Sequence, residues 1–130
     1  MAATPRRVTI IRVLWVVGFL VGTTTHVTDL VLDGTDVYAR FPTAARLYWV
    51  ALTLFDPLAI VLVILRLRAG VVLAVVIMVS DVAVNSVMVA THGLPVFGLV
   101  NQILFGLLVA ATAPLLWRWS RQRAGGVPAP

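Results

Sequence analysis

The chemistry open to this 130-residue chain is set by five Asp and two His, with no Cys, Glu or Lys. Two of the carboxyl groups, Asp56 and Asp81, interrupt long apolar runs. Placing a carboxyl group at the centre of a membrane span costs roughly 2.5 to 3.5 kcal/mol on insertion scales, so such a group is by default a candidate functional site. A pair of them suits acid–base work: one stays protonated as a proton donor while the other stays ionised as a base or cation stabiliser. His26 has Asp29 three residues on, close enough on a helix for a carboxylate to orient its ring for proton transfer. Asn85, Asn101 and Gln102 offer amides that could orient a substrate. The structural alternative is that Asp56 and Asp81 only lock helices together through Asn85, Ser80 or Thr53. A metal site is not expected: His26, Asp29, Asp56, Asp81 and His92 could supply ligands, but none follows a metal-binding spacing. No cofactor motif is present, and proton transfer needs none.

The elements that must position these groups are read from composition. Hydrophobic residues make up 61% of the chain and the mean hydropathy is +1.03, far above the soluble norm, so an integral membrane protein is expected. Ten basic residues, all Arg, against five acidic ones give a net charge of +5. Because the Arg residues flank apolar runs, that charge reads as membrane topology and not as a nucleic-acid surface. Four spans are predicted at about residues 11–32, 47–65, 70–91 and 97–117, each near the length of about 20 residues a crossing needs. Together they form one all-α bundle, a single transmembrane domain, with a tail over 118–130 that is expected to be disordered from Ala124 to Pro130. The first run outlasts the apolar core of a cleavable signal and is expected to be retained.

Four crossings bring both termini to one side. That side carries Arg6, Arg7, Arg12, Arg66, Arg68, Arg118, Arg121 and Arg123, whereas the other has only Arg40 and Arg46. The positive-inside rule then predicts an inner-membrane protein with cytoplasmic termini. Tyr48 and Trp49 are expected in an interfacial aromatic belt. Counting depth at about 1.5 Å per residue, Asp56 and Asp81 fall near the midplane, with Asn85, His26, Asp29, Asn101 and Gln102 toward the outer leaflet.

Spacings of three and four align Gly18, Gly22, His26, Asp29 and Asp33 on one helical face, and Met78, Asp81, Asn85, Met88 and His92 on another. Polar groups in a membrane bundle face its interior. The prediction is therefore a pocket between four helices, walled by Met78, Met88, Phe55 and Phe105 and opening outward or sideways, with Trp49, Asn85, Asn101 and Gln102 contacting a substrate. Pro57 follows Asp56 and removes a helical hydrogen bond, which predicts a kink beside that carboxyl. Gly18 and Gly22 form a GxxxG match that favours close packing within the bundle and also permits a homodimer.

Two stretches, TTTHVTDL with His26 and Asp29 and LTLFDPLAIVL with Asp56, resemble the EXPERA proteins, which include sterol isomerases and sigma-2-receptor-like proteins. The resemblance implies a small bundle with cytoplasmic ends, a sterol-sized cavity lined by acidic residues, and acid–base isomerisation or lipophile binding. This chain differs in carrying Asp81 and Asn85 on the third span, in a shorter first loop, and in having no inward Trp expected near Asn85.

The expected function is a cofactor-independent membrane enzyme, an isomerase, cyclase or epoxide-opening hydrolase. It would act on a lipophilic isoprenoid, sterol or polyketide-like molecule taken from membrane lipid, using Asp56, Asp81, Asp29 and His26 as the catalytic set. The competing readings are a small proton-coupled multidrug-type transporter and a non-catalytic lipid-binding or assembly subunit.

Overall fold

A computed structural model describes residues 5–120; Arg121, Arg123 and most of the tail lie outside the described residues. Four helices follow one another: α1, Arg6–Asp33; α2, Thr43–Ile64; α3, Arg68–His92; and α4, Val96–Trp119. Each is long and apolar enough to cross a membrane. The helices overrun the predicted limits most at the starts of α1 and α2, because Pro5 and Pro42 precede them. A Pro there has the backbone angle of a helix entry, and the N–H it lacks has no role to fill.

The order around the bundle is cyclic. α1 packs on α2, α2 on α3, and α3 on α4, while α4 returns to α1 along a thinner contact. Cross-links show the up-and-down arrangement. Arg12 near the start of α1 donates to the carbonyls of Val63 and Ile64 at the end of α2, and Trp15 Nε1 donates to Thr112 Oγ1 on α4 at 2.9 Å. The start of α1, the α2–α3 turn and the end of α4 therefore share one end of the bundle.

Local chemistry explains why polar residues do not break these helices. Thr23, Thr24 and Thr25 each donate to the carbonyl four residues back, at 2.9, 2.8 and 3.0 Å, so no hydroxyl meets an apolar surrounding unpaired. α2 continues through Pro57 without a break. α3 ends where Gly93 takes a left-handed conformation, φ 67°, and its N–H closes on the Met88 carbonyl, a termination glycine makes without steric cost.

Between α1 and α2 a single 3₁₀ turn, Gly34–Asp36, leads into a short segment that folds over the bundle. Tyr38 and Phe41 both rest on Trp49, with ring centroids 4.8 and 4.9 Å away. Trp49 is only 3% exposed. The expectation of an interfacial Trp49 is thus corrected: the loop covers it, and its indole N–H finds a partner inside the bundle. Tyr48 also turns inward, its hydroxyl 2.8 Å from Ser80 Oγ on α3.

Candidate functional site

All four helices contribute to one pocket of about 400 Å³. From α1 come Gly18, Phe19, Val21, Gly22, Thr25 and His26; from α2, Asp56; from α3, Ile77, Met78 and Asp81; from α4, Gly98, Asn101, Gln102 and Phe105. The wall is mainly apolar, with the Phe19 and Phe105 rings in edge-to-face contact at 5.3 Å. The rim runs between α1 and α4, where Val21, Thr25, Gly98 and Asn101 are exposed. The opening is therefore lateral, toward whatever surrounds the bundle.

The two carboxyl groups meet this pocket differently held. Asp81, 7% exposed, accepts a hydrogen bond from Asn85 Nδ2 at 3.0 Å, one turn along α3. Asp56, 4% exposed, has its Oδ1 buried with no hydrogen-bond partner among the described residues. Its other oxygen packs on the bare backbone of α1: a Cβ at Gly22 would lie 2.9 Å from Asp56 Oδ2. The helix thus needs a glycine at position 22 to pass this carboxyl. Gly18 plays a similar part for the Phe105 ring, which lies where a Cβ would project.

Behind the pocket, Asn85 is the junction of a buried network. Its Oδ1 accepts from Trp49 Nε1 at 2.9 Å, and its Nδ2 donates both to Asp81 and to Gln102 Oε1, the latter at 2.7 Å. An indole nitrogen only donates, so the amide orientation is fixed and both Asn85 hydrogens are used. Gln102 commits its carbonyl to Asn85, and its amide nitrogen has no partner among the described residues.

His26 and Asp29 are linked through a third residue and share no direct hydrogen bond. Both reach the Tyr38 hydroxyl: it donates to Asp29 Oδ2 at 2.9 Å and lies 3.3 Å from His26 Nδ1. Since the single phenolic hydrogen goes to Asp29, Nδ1 must donate to the phenol oxygen, which leaves Nε2 as the basic nitrogen of the ring. Burial, and then the bond to Asp29, push the Tyr38 hydroxyl above its usual range.

Several expected site residues are placed elsewhere. Phe55, expected as a wall, is 42% exposed and outside the pocket, because the inward side of α2 at this level is taken by the adjacent Asp56. Met88 is buried in the core and does not line the pocket; nor do Trp49, Asn85 and Asp29, which act one layer behind it. The expectation that no inward Trp lies near Asn85 is overturned by Trp49 itself. Of the stripe ends, Asp33 and His92 are exposed, and His92 sits against Thr91 and the Phe41 ring. Sequence reasoning missed Phe19, which shares a helical face with Gly22 and His26 and was legible from that spacing. It also missed Tyr38, which reaches the site from a loop with no period to betray it.

Among the described residues, no three His or Asp side chains come close enough together to hold a metal ion. The chain matches no protein-family profile, no characterised protein and no solved structure.

Proposed function

We propose that this chain is a membrane-embedded acid–base enzyme that isomerises, cyclises or opens an epoxide in a lipophilic isoprenoid, sterol or polyketide-like substrate. The observation that carries the reading is Asp56. A buried polar atom without a partner costs about 1–3 kcal/mol, and here it stands at an apolar pocket large enough for part of such a substrate. A group kept at that cost, and in that place, suits a role that a ligand completes.

Asp56 is the proton donor, since a carboxyl without donors around it is buried far more cheaply neutral than charged. Asp81, held by Asn85, is the carboxylate that steadies the developing cation or takes a proton back. His26, with Nε2 as its basic nitrogen, is the second base, positioned by Tyr38 and Asp29. The amide of Gln102, together with Asn101, orients the polar end of the substrate. The lateral opening between α1 and α4 suits entry from the bilayer.

The arginine distribution, with six of the eight described Arg at the end that carries the start of α1 and the α2–α3 turn, supports an inner-membrane protein with both termini cytoplasmic and the pocket toward the outer leaflet. The presence of two carboxyls in one pocket also favours a second reading, a small proton-coupled transporter, which would move its ligand unchanged. Purified protein in lipid nanodiscs, given candidate alkenes and epoxides and followed by liquid chromatography and mass spectrometry, separates the two. Turnover without a proton gradient, lost in Asp56→Asn, supports the enzyme; an unaltered ligand with every candidate class contradicts it.

A further inference from the structure

At the opposite end of the bundle from the pocket lie Arg12, Arg66 and Arg68, none of them ion-paired with an acid among the described residues. Arg12 and Arg66 line a common hollow with Val71, Leu116, Trp119 and Ser120. Arg12 is turned onto the Val63 and Ile64 carbonyls. Arg66 sits in a left-handed turn, φ 59°, an uncommon conformation for a residue with a side chain, and has no ion pair or hydrogen-bonded side-chain partner among the described residues. Arg68 stacks its guanidinium 4.9 Å from the Trp117 ring, and its Nε is buried with no hydrogen-bond partner among the described residues.

A long apolar groove begins at this cluster. Its first part, about 450 Å³, is bounded by Val71, Val75, Ala110 and Trp117 between α3 and α4. Its second, about 270 Å³, continues past Val75 and Ala110 to Val82 and Ile103. Val71 borders both the groove and the arginine hollow, and Trp117 borders both the groove and Arg68. From Val71 to Val82 is 11 residues of helix, about 16 Å, close to the depth of one leaflet of a hydrocarbon core about 30 Å thick.

We propose that this groove and cluster form a binding site for one anionic phospholipid, with the headgroup phosphate at Arg66 and Arg68 and an acyl chain along α3 and α4. Charge complementarity selects the occupant. A phosphate oxygen is the acceptor that the Arg66 guanidinium lacks among the described residues, the Arg68 guanidinium two residues on adds a second positive charge, and the contiguous groove supplies what a free phosphate would leave empty. The arginine end of the site lies away from Asp56 and Asp81, the far end of the groove shares Met78 with their pocket, and the proposal does not depend on the reaction proposed above.

Native mass spectrometry of the full chain released from detergent tests this with phosphatidylglycerol and phosphatidylcholine of identical acyl chains, and with inorganic phosphate alone. The wild type should retain one phosphatidylglycerol in preference to phosphatidylcholine by roughly thirtyfold, the amount two arginines near an anionic headgroup supply. Arg66→Gln with Arg68→Gln should abolish that preference, Arg66→Lys with Arg68→Lys should keep most of it, and Ala110→Phe, which fills the groove, should lower retention. Equal retention of the two lipids by the wild type overturns the proposal whatever the variants do. So does inorganic phosphate binding as well as the lipid with Ala110→Phe having no effect, the signature of a bare anion site.

Discussion

Asp56 Oδ2 packs against the backbone of Gly22, at a position where a Cβ on residue 22 would come within 2.9 Å of it, while Asp56 Oδ1 is buried without a partner. The Asp56 carboxyl group is thus confined on one side by α1 and left without a hydrogen bond on the other among the described residues. Asp81, in the same pocket, is tied through Asn85 to Trp49 on α2 and Gln102 on α4. Two residues of one type thus have separable consequences when changed.

Replacing Asp56 by Leu removes the unsatisfied group and keeps the branching of the side chain. It should raise stability by about 1 kcal/mol or more while ending activity. Thermal unfolding in detergent checks this; a loss of stability as large as that of Asp81→Leu would show that Asp56 is a structural lock.

Gly22→Ala should disturb function more than folding, because the new methyl group meets Asp56 Oδ2 and little else. A folded variant that has lost turnover or ligand retention is the expected outcome. Unchanged function would mean that the carboxyl position is not critical.

Trp49→Phe leaves Asn85 Oδ1 buried without its donor. The expected cost is about 1–3 kcal/mol, read as a lowered unfolding midpoint. The double variant Trp49→Phe with Asn85→Leu should recover part of it, since the orphaned acceptor is then gone; failure to recover would place the cost in packing and not in the bond.

Tyr38 gives a pH signature. Its folded-state value is raised above the ordinary 10.0, so on folding it favours the protonated phenol. That contribution is complete below pH 10 and is lost as pH rises above it, because the unfolded chain ionises first. Unfolding midpoints should fall more steeply above pH 10 in the wild type than in Tyr38→Phe; parallel curves would contradict the burial of this hydroxyl.

How far the sequence reaches depends on the kind of signal. Apolar length defines four helices, and the spacing of Gly18, Gly22 and His26 on α1 and of Met78 and Asp81 on α3 places those residues on common faces because helical geometry is local. Asp56 and Phe55 show the limit. Both are adjacent on α2, and only packing against α1 decides that the carboxyl turns inward and the ring outward. Trp49 shows another: an aromatic at a helix start reads as an interfacial anchor until a loop carrying Tyr38 and Phe41 covers it, and no period in the sequence announces that loop's return.

The most direct measurement is isotope transfer. Wild-type protein in nanodiscs made from native membrane lipid extract is incubated in heavy water or in ¹⁸O-labelled water, and the lipophilic fraction is compared with that from Asp56→Asn. Acid–base chemistry in the pocket predicts a lipophile that gains carbon-bound deuterium or ¹⁸O with the wild type and not with the variant. Identical isotope patterns from the two proteins would contradict it.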